Sequence, residues 1–119
     1  MIIGIGTDMI EIHRIKKACQ NSRFIERVYT ELERTKYLTY VQKLAGNFAV
    51  KEAVVKVLGT GFGKIEPREI EVLRNEKGKP YVVLYGNAQE QQRQLGIQSF
   101  HVSITNTNEY AMAFVIGEG

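Results

Sequence analysis

The chain has 119 residues, enough for one domain around one core. Hydrophobic residues make up 44% and charged residues 24%, an ordinary globular balance, and no apolar run is long enough to cross a membrane. The net charge of +3 is a mild bias toward anionic partners and falls short of a nucleic-acid footprint. Cys19 is the only cysteine, which excludes a disulfide framework and a cysteine-rich zinc site. It reads as a small core hydrophobe in a reducing, cytoplasmic setting. Met1 to Gly6 is apolar, but it is short and lacks the basic flank of a secretory signal.

Met1 to Asp8 reads as a strand. Ile2, Ile3 and Ile5 favour extended backbone, and Gly4 and Gly6 let other backbone come close. No third glycine opens a helix after them, so this is no dinucleotide loop. A short helix is predicted from about Glu11 to Cys19, and another turn or two from Phe24 to Val28. Thr30-Glu31-Leu32-Glu33 has the form of a capping box, which starts a helix near Glu31. A long helix runs from about Val41 to Leu58 and ends on Gly59.

Gly59 to Gly63 is a glycine-rich turn leading to Lys64. It follows a helix and no Ser or Thr comes after the lysine, so it fails as a Walker loop. Glu69 to Arg74 and Pro80 to Tyr85 read as two strands around the Asn75-Glu76-Lys77-Gly78 turn. Asn87 is the expected cap of a polar helix ending near Gly96. Ser99 to Thr105 and Glu109 to Ile116 form a closing hairpin. The fold class is α+β: a mostly antiparallel sheet packed against one long helix and shorter helices, in a single domain spanning residues 1–119.

Glu52 and Lys56 stand one turn apart within the apolar long helix. They are either a surface ion pair worth about 0.3 kcal/mol or part of a site. Asp8, at the end of its strand, either caps the following helix or supplies a second carboxylate. Two carboxylates suit magnesium, which keeps several waters and shares its remaining positions with phosphates. Lys56 would then neutralise phosphate oxygens. Lys51, on another face, is expected to be exposed. In the last hairpin His101, Ser103 and Thr105 share a polar strand face, and Asn106 follows at the turn. Arg14, Arg23 and Arg27, with Phe24 among them, form either a solvated face or a dock for an acidic partner.

Five segments carry a family likeness. They are Gly4 to Ile15, Arg23 to Arg27, Phe48 to Gly61, Gly78 to Tyr81, and His101 to Thr105. In this order they resemble the holo-acyl-carrier-protein synthases, the short-form 4′-phosphopantetheinyl transferases. The resemblance implies that fold and a transfer of 4′-phosphopantetheine from coenzyme A to a serine of apo acyl carrier protein, for fatty acid biosynthesis, releasing 3′,5′-ADP.

It further implies that Asp8 and Glu52 hold Mg2+, and that catalysis rests on them with Lys56. The coenzyme A positions become Lys56, Gly59, Thr60, Gly61, His101, Ser103, Thr105 and Asn106. Arg14, Arg23, Phe24 and Arg27 become the carrier-protein dock, in a homotrimer with active sites at subunit boundaries. Transfer of this kind asks for positioning and charge neutralisation, which that set supplies. The serine base is Glu52 or a metal-bound water. The chain departs from the family at Asn47, where arginine is usual, and at Asn106, where histidine is usual. Both positions are associated with the phosphate and adenosine end of coenzyme A, so their loss implies a weaker grip on the 3′-phosphate or other basic residues holding it. It also keeps open a relative that docks carrier protein without modifying it. A small nucleic-acid-binding domain is disfavoured, because the strands show no aromatic residues interleaved with Lys and Arg.

Overall fold

A computed structural model describes every residue from Met1 to Gly119. Strand β1 (Ile2–Glu11) alternates by parity: Gly4, Gly6, Asp8 and Ile10 face inward, while Ile5, Thr7 and Met9 face out. It pairs antiparallel with β5 (Tyr110–Glu118), which pairs antiparallel with β4 (Ser99–Asn106), giving the order β1-β5-β4. The inward residues of β5 are small: Ala111, Ala113 and Val115 are fully buried. A second, separate sheet is the hairpin of β2 (Ile70–Arg74) and β3 (Pro80–Leu84). The Asn75 side chain closes its turn by accepting hydrogen bonds from the backbone N–H groups of Lys77 and Lys79.

The long helix α4 (Val41–Leu58) lies across the inner face of the three-stranded sheet. Small inward residues let it come close. A Cβ on Gly6 would stand 2.0 Å from the Ala53 carbonyl oxygen, so only glycine permits this approach. Gly59 ends α4 in the left-handed conformation, as the sequence predicts. The helix is buried on nearly every side, with one cluster around Val50, Val54 and Ile70 and another around Ile15, Tyr29 and Leu44. Helices α1 (Ile12–Ala18), α2 (Ser22–Val28) and α3 (Glu31–Tyr37) pack at its N-terminal half. The Thr30 capping box is present, each partner closing the other's free N–H.

Three expectations need correction. Lys51 is fully buried: its Nζ donates to Glu33 Oε1 at 2.7 Å, to the Pro67 carbonyl at 3.1 Å, and to the Ile70 carbonyl. Its counter-ion comes from α3, which spacing along α4 does not reveal. Asn87 does not cap α5 (Gly86–Leu95). That helix starts two residues earlier than expected, with Tyr85 at the capping position, and Asn87 instead donates to the Lys64 carbonyl at 2.8 Å. Strand β1 also runs beyond Asp8 to Glu11, so Asp8 is an inward strand residue and caps nothing.

Candidate active site

Because Asp8 shares the inner face of β1 with Gly6, the same close approach carries its carboxylate onto α4. There it meets the side chains that α4 presents one turn apart, Glu52 and Lys56. Lys56 Nζ donates to the Thr7 carbonyl at 2.7 Å and lies 3.7 Å from Asp8 Oδ1. Lys56 therefore bridges to β1 and forms no ion pair with Glu52. The Lys56 side chain stays half-exposed.

Asp8 and Glu52 are half-buried and electrostatically coupled. Burial raises the Asp8 carboxyl above its ordinary 3.8, and Lys56 partly offsets this. Burial likewise raises Glu52 above its ordinary 4.5, and the neighbouring Asp8 charge raises it further. Two half-buried carboxylates lining one cleft are a natural seat for a cation. No third acidic, histidine or cysteine ligand joins them. That donor set suits a hard ion which keeps water and phosphate ligands, such as Mg2+, and does not suit zinc or an all-protein calcium cage.

The pair opens onto a cleft of about 540 Å³ that is also lined by Arg14, Phe24, Phe48 and Tyr110. Phe24 packs on Phe48 with ring centroids 6.2 Å apart, which ties α2 to α4 beside the carboxylates. Arg23 and Arg27 lie exposed on the same short helix as Phe24, outside the cleft lining.

The remaining predicted site residues do not converge in one chain. Gly59, Thr60 and Gly61 follow the C-terminal end of α4, with Gly59 and Gly61 in the left-handed conformation. His101, Ser103 and Thr105 are exposed, and their register partners Ile116, Phe114 and Met112 lie opposite Ile5, Thr7 and Met9 of β1. They therefore occupy the outer face of the sheet, away from Asp8. His101 bonds Glu118 Oε1 at 2.8 Å. Asn106 reaches Gln42 Oε1 of α4 at 3.4 Å. Asn47 is fully buried: its Nδ2 donates to Glu33 Oε2 and the Val72 carbonyl, and its Oδ1 accepts from Arg74 Nη1 at 2.9 Å. Nothing in its own segment marks Arg74; Asn47, standing where the resemblance implies an arginine, is the signal that points to another cation nearby.

Residues 4–115 match the family model described as the 4′-phosphopantetheinyl transferase superfamily. A holo-[acyl-carrier-protein] synthase of Lachnoclostridium phytofermentans is 58% identical over 99% of this chain and 97% of that protein. Among solved structures, the holo-[acyl-carrier-protein] synthase of Neisseria meningitidis superposes with a TM-score of 0.88 at 31% identity, covering 100% of both chains. That of Helicobacter pylori, in complex with coenzyme A, gives 0.86 at 30% identity over 96% of this chain and 99% of the other.

The raised carboxyls set a pH dependence. In the unfolded chain Asp8 and Glu52 ionise near 3.8 and 4.5, and in the fold they hold their protons to higher pH. Their contribution to stability is therefore full below those values and is lost as pH rises through the folded values. A divalent cation held by both carboxylates would offset that loss. The expected outcome is that saturating Mg2+ raises the Tm by several degrees at neutral pH and by progressively less toward about pH 5. Glu52→Gln should remove most of this shift. A Mg2+ shift of undiminished size in Glu52→Gln, measured by thermal unfolding, would show that the cation binds elsewhere.

Proposed function

The chain belongs to the holo-[acyl-carrier-protein] synthases of the 4′-phosphopantetheinyl transferase superfamily, and from that premise we propose that it transfers 4′-phosphopantetheine from coenzyme A to a serine of an apo acyl carrier protein, releasing 3′,5′-ADP. One observation carries the reading above all: Asp8 and Glu52 line one cleft with Arg14 and Phe24, and the Lys56 ammonium stands 3.7 Å from the Asp8 carboxylate. The same convergence speaks against a relative that only docks carrier protein.

In this reading the serine oxygen attacks the phosphorus that carries the pantetheine arm. The pyrophosphate bond to the adenosine half breaks, and 3′,5′-ADP leaves. Asp8 and Glu52 would hold Mg2+, which would supply charge neutralisation at the pyrophosphate. Lys56, half-exposed and anchored on the Thr7 carbonyl, turns its ammonium toward the leaving phosphate. Glu52 lines the cleft, within reach of an entering serine, and can accept its proton. Arg14, Arg23 and Arg27 offer bidentate contacts to an acidic carrier protein, with Phe24 as the apolar element among them. Fatty acid biosynthesis and the cytoplasm are the proposed setting. No helix is long and apolar enough to cross a membrane.

We further propose that the working unit is a homotrimer with each active site at a subunit boundary. The outer sheet face supports this, because Ile5 (60%), Met9 (63%), Met112 (42%) and Phe114 (36%) are all exposed there. A contiguous apolar face of this kind favours burial against another copy. His101, Ser103 and Thr105 border it, on the wrong side of the sheet to serve Asp8 of their own chain. A neighbouring copy's carboxylates can meet them.

Two outcomes test this reading. With coenzyme A, Mg2+ and an apo carrier protein, mass spectrometry should show the phosphopantetheine mass gain, and Glu52→Gln should reduce the rate by at least about 100-fold. No gain under conditions where a control enzyme works would overturn the transferase assignment. Sedimentation should give about three times the 13.5 kDa chain mass. Met112→Lys should yield folded single chains that have lost transfer. Full activity in those single chains would contradict the shared site.

A further inference from the structure

Two cations share one aromatic ring at the N-terminal end of α4. The Arg74 guanidinium carbon lies 4.9 Å from the Tyr37 ring centroid, and Lys43 Nζ lies 5.8 Å from it and 4.9 Å from that of Tyr40. Neither cation takes part in any ion pair of the chain. Two cations gathered at one ring without a salt-bridge partner favour an anion beside them.

The guanidinium is also held ready. Tyr37 is fixed from below, its hydroxyl accepting from the backbone N–H of Arg74 at 3.0 Å. Asn47 Oδ1 accepts from Nη1, and the Asn47 amide is itself locked by Glu33 and Val72. Arg74 Nη2 lies against Gly46 of α4, 3.6 Å from where a Cβ would stand. One guanidinium N–H goes to Asn47, and Arg74 remains only half-buried. The other donors are available to a phosphate, which a planar fork suits.

We propose that Arg74, with Lys43, holds the 3′-phosphate of coenzyme A, so that the cation absent from position 47 is supplied from β2. The proposal rests on the transferase reading above. It fits the shared site as well. Lys43 and Lys56 stand at opposite ends of α4, about 20 Å apart at a helical rise of about 1.5 Å per residue. Two phosphates on one ribose cannot span that distance, so this cluster serves the carboxylates of a neighbouring copy. Arg74 acts as a specificity residue and touches no reacting atom.

The test compares coenzyme A with 3′-dephospho-coenzyme A as donors in the carrier-protein assay. The wild-type chain should prefer coenzyme A. Arg74→Gln should lower kcat/KM for coenzyme A about tenfold, mainly through KM, and bring the preference close to one. Arg74→Lys should keep part of the preference, and Arg93→Gln, on the exposed side of α5, should keep all of it. A purely structural role for Arg74 would lower both donors alike and leave the preference unchanged. That result, or a wild-type chain with no preference, would overturn the proposal. If the wild-type chain transfers nothing, the transferase reading fails and calorimetry decides the phosphate site separately. Tighter binding of 3′,5′-ADP than of 5′-AMP, lost in Arg74→Gln, supports it; equal binding of the two overturns it.

Discussion

Backbone lies directly on backbone where β1 crosses α4. At Gly6 a Cβ would come 2.0 Å from the Ala53 carbonyl oxygen, and at Gly4 it would come 3.0 Å from that of Val57. Any larger residue at Gly6 pushes strand and helix apart. The separation fixed there decides the chemistry two residues later. Strand parity points Asp8 the same way as Gly6, and helical periodicity puts Glu52 and Lys56 beside Ala53. A carboxylate on a strand and a carboxylate on a helix then share one small volume. Partial burial raises both carboxyls and the Asp8 charge raises Glu52 further, which is the electrostatic condition that favours a bound cation.

The opposite flank of α4 is held by a second constraint, the buried Lys51–Glu33 pair. Burial pushes the Lys51 amine down from its ordinary value, and Glu33 offsets that shift. Such a pair is tolerable only if its donors and acceptors are used. Here they are: Lys51 also serves two carbonyls, and Glu33 accepts from Asn47 and from the Thr30 backbone. Neighbouring Glu71 accepts from Thr30 and Tyr85. No buried side-chain polar atom lacks a partner. The network pins α3 and β2 to α4. It thereby sets where Tyr37 and Arg74 stand.

Much of this was legible in the sequence because it is local. The strand alternation in β4, the Thr30 capping box and the Gly59 helix end are each written within a few residues. Glu52 and Lys56 were legible for the same reason, one turn apart on one helix. What escaped was tertiary. Lys51 looks solvent-exposed from α4 alone, because its partner Glu33 belongs to another helix. Asn87 matches a cap by residue type, yet the chain enters α5 two residues earlier and frees that side chain for Lys64. The division of the site between the two faces of a sheet follows from the β1-β5-β4 order, which no single segment encodes. Arg74 draws its interest from Asn47 on a different element, so only the assembled fold brings it forward.

The account stands on one spatial claim, that the β1–α4 contact makes Asp8 and Glu52 a shared cation seat. The most direct measurement is a crystal structure with Mn2+ in place of Mg2+ and coenzyme A present, read by anomalous scattering. The account predicts one manganese peak within bonding distance of both carboxylates, with Lys56 toward the pyrophosphate. A manganese peak bound by neither Asp8 nor Glu52 would contradict it.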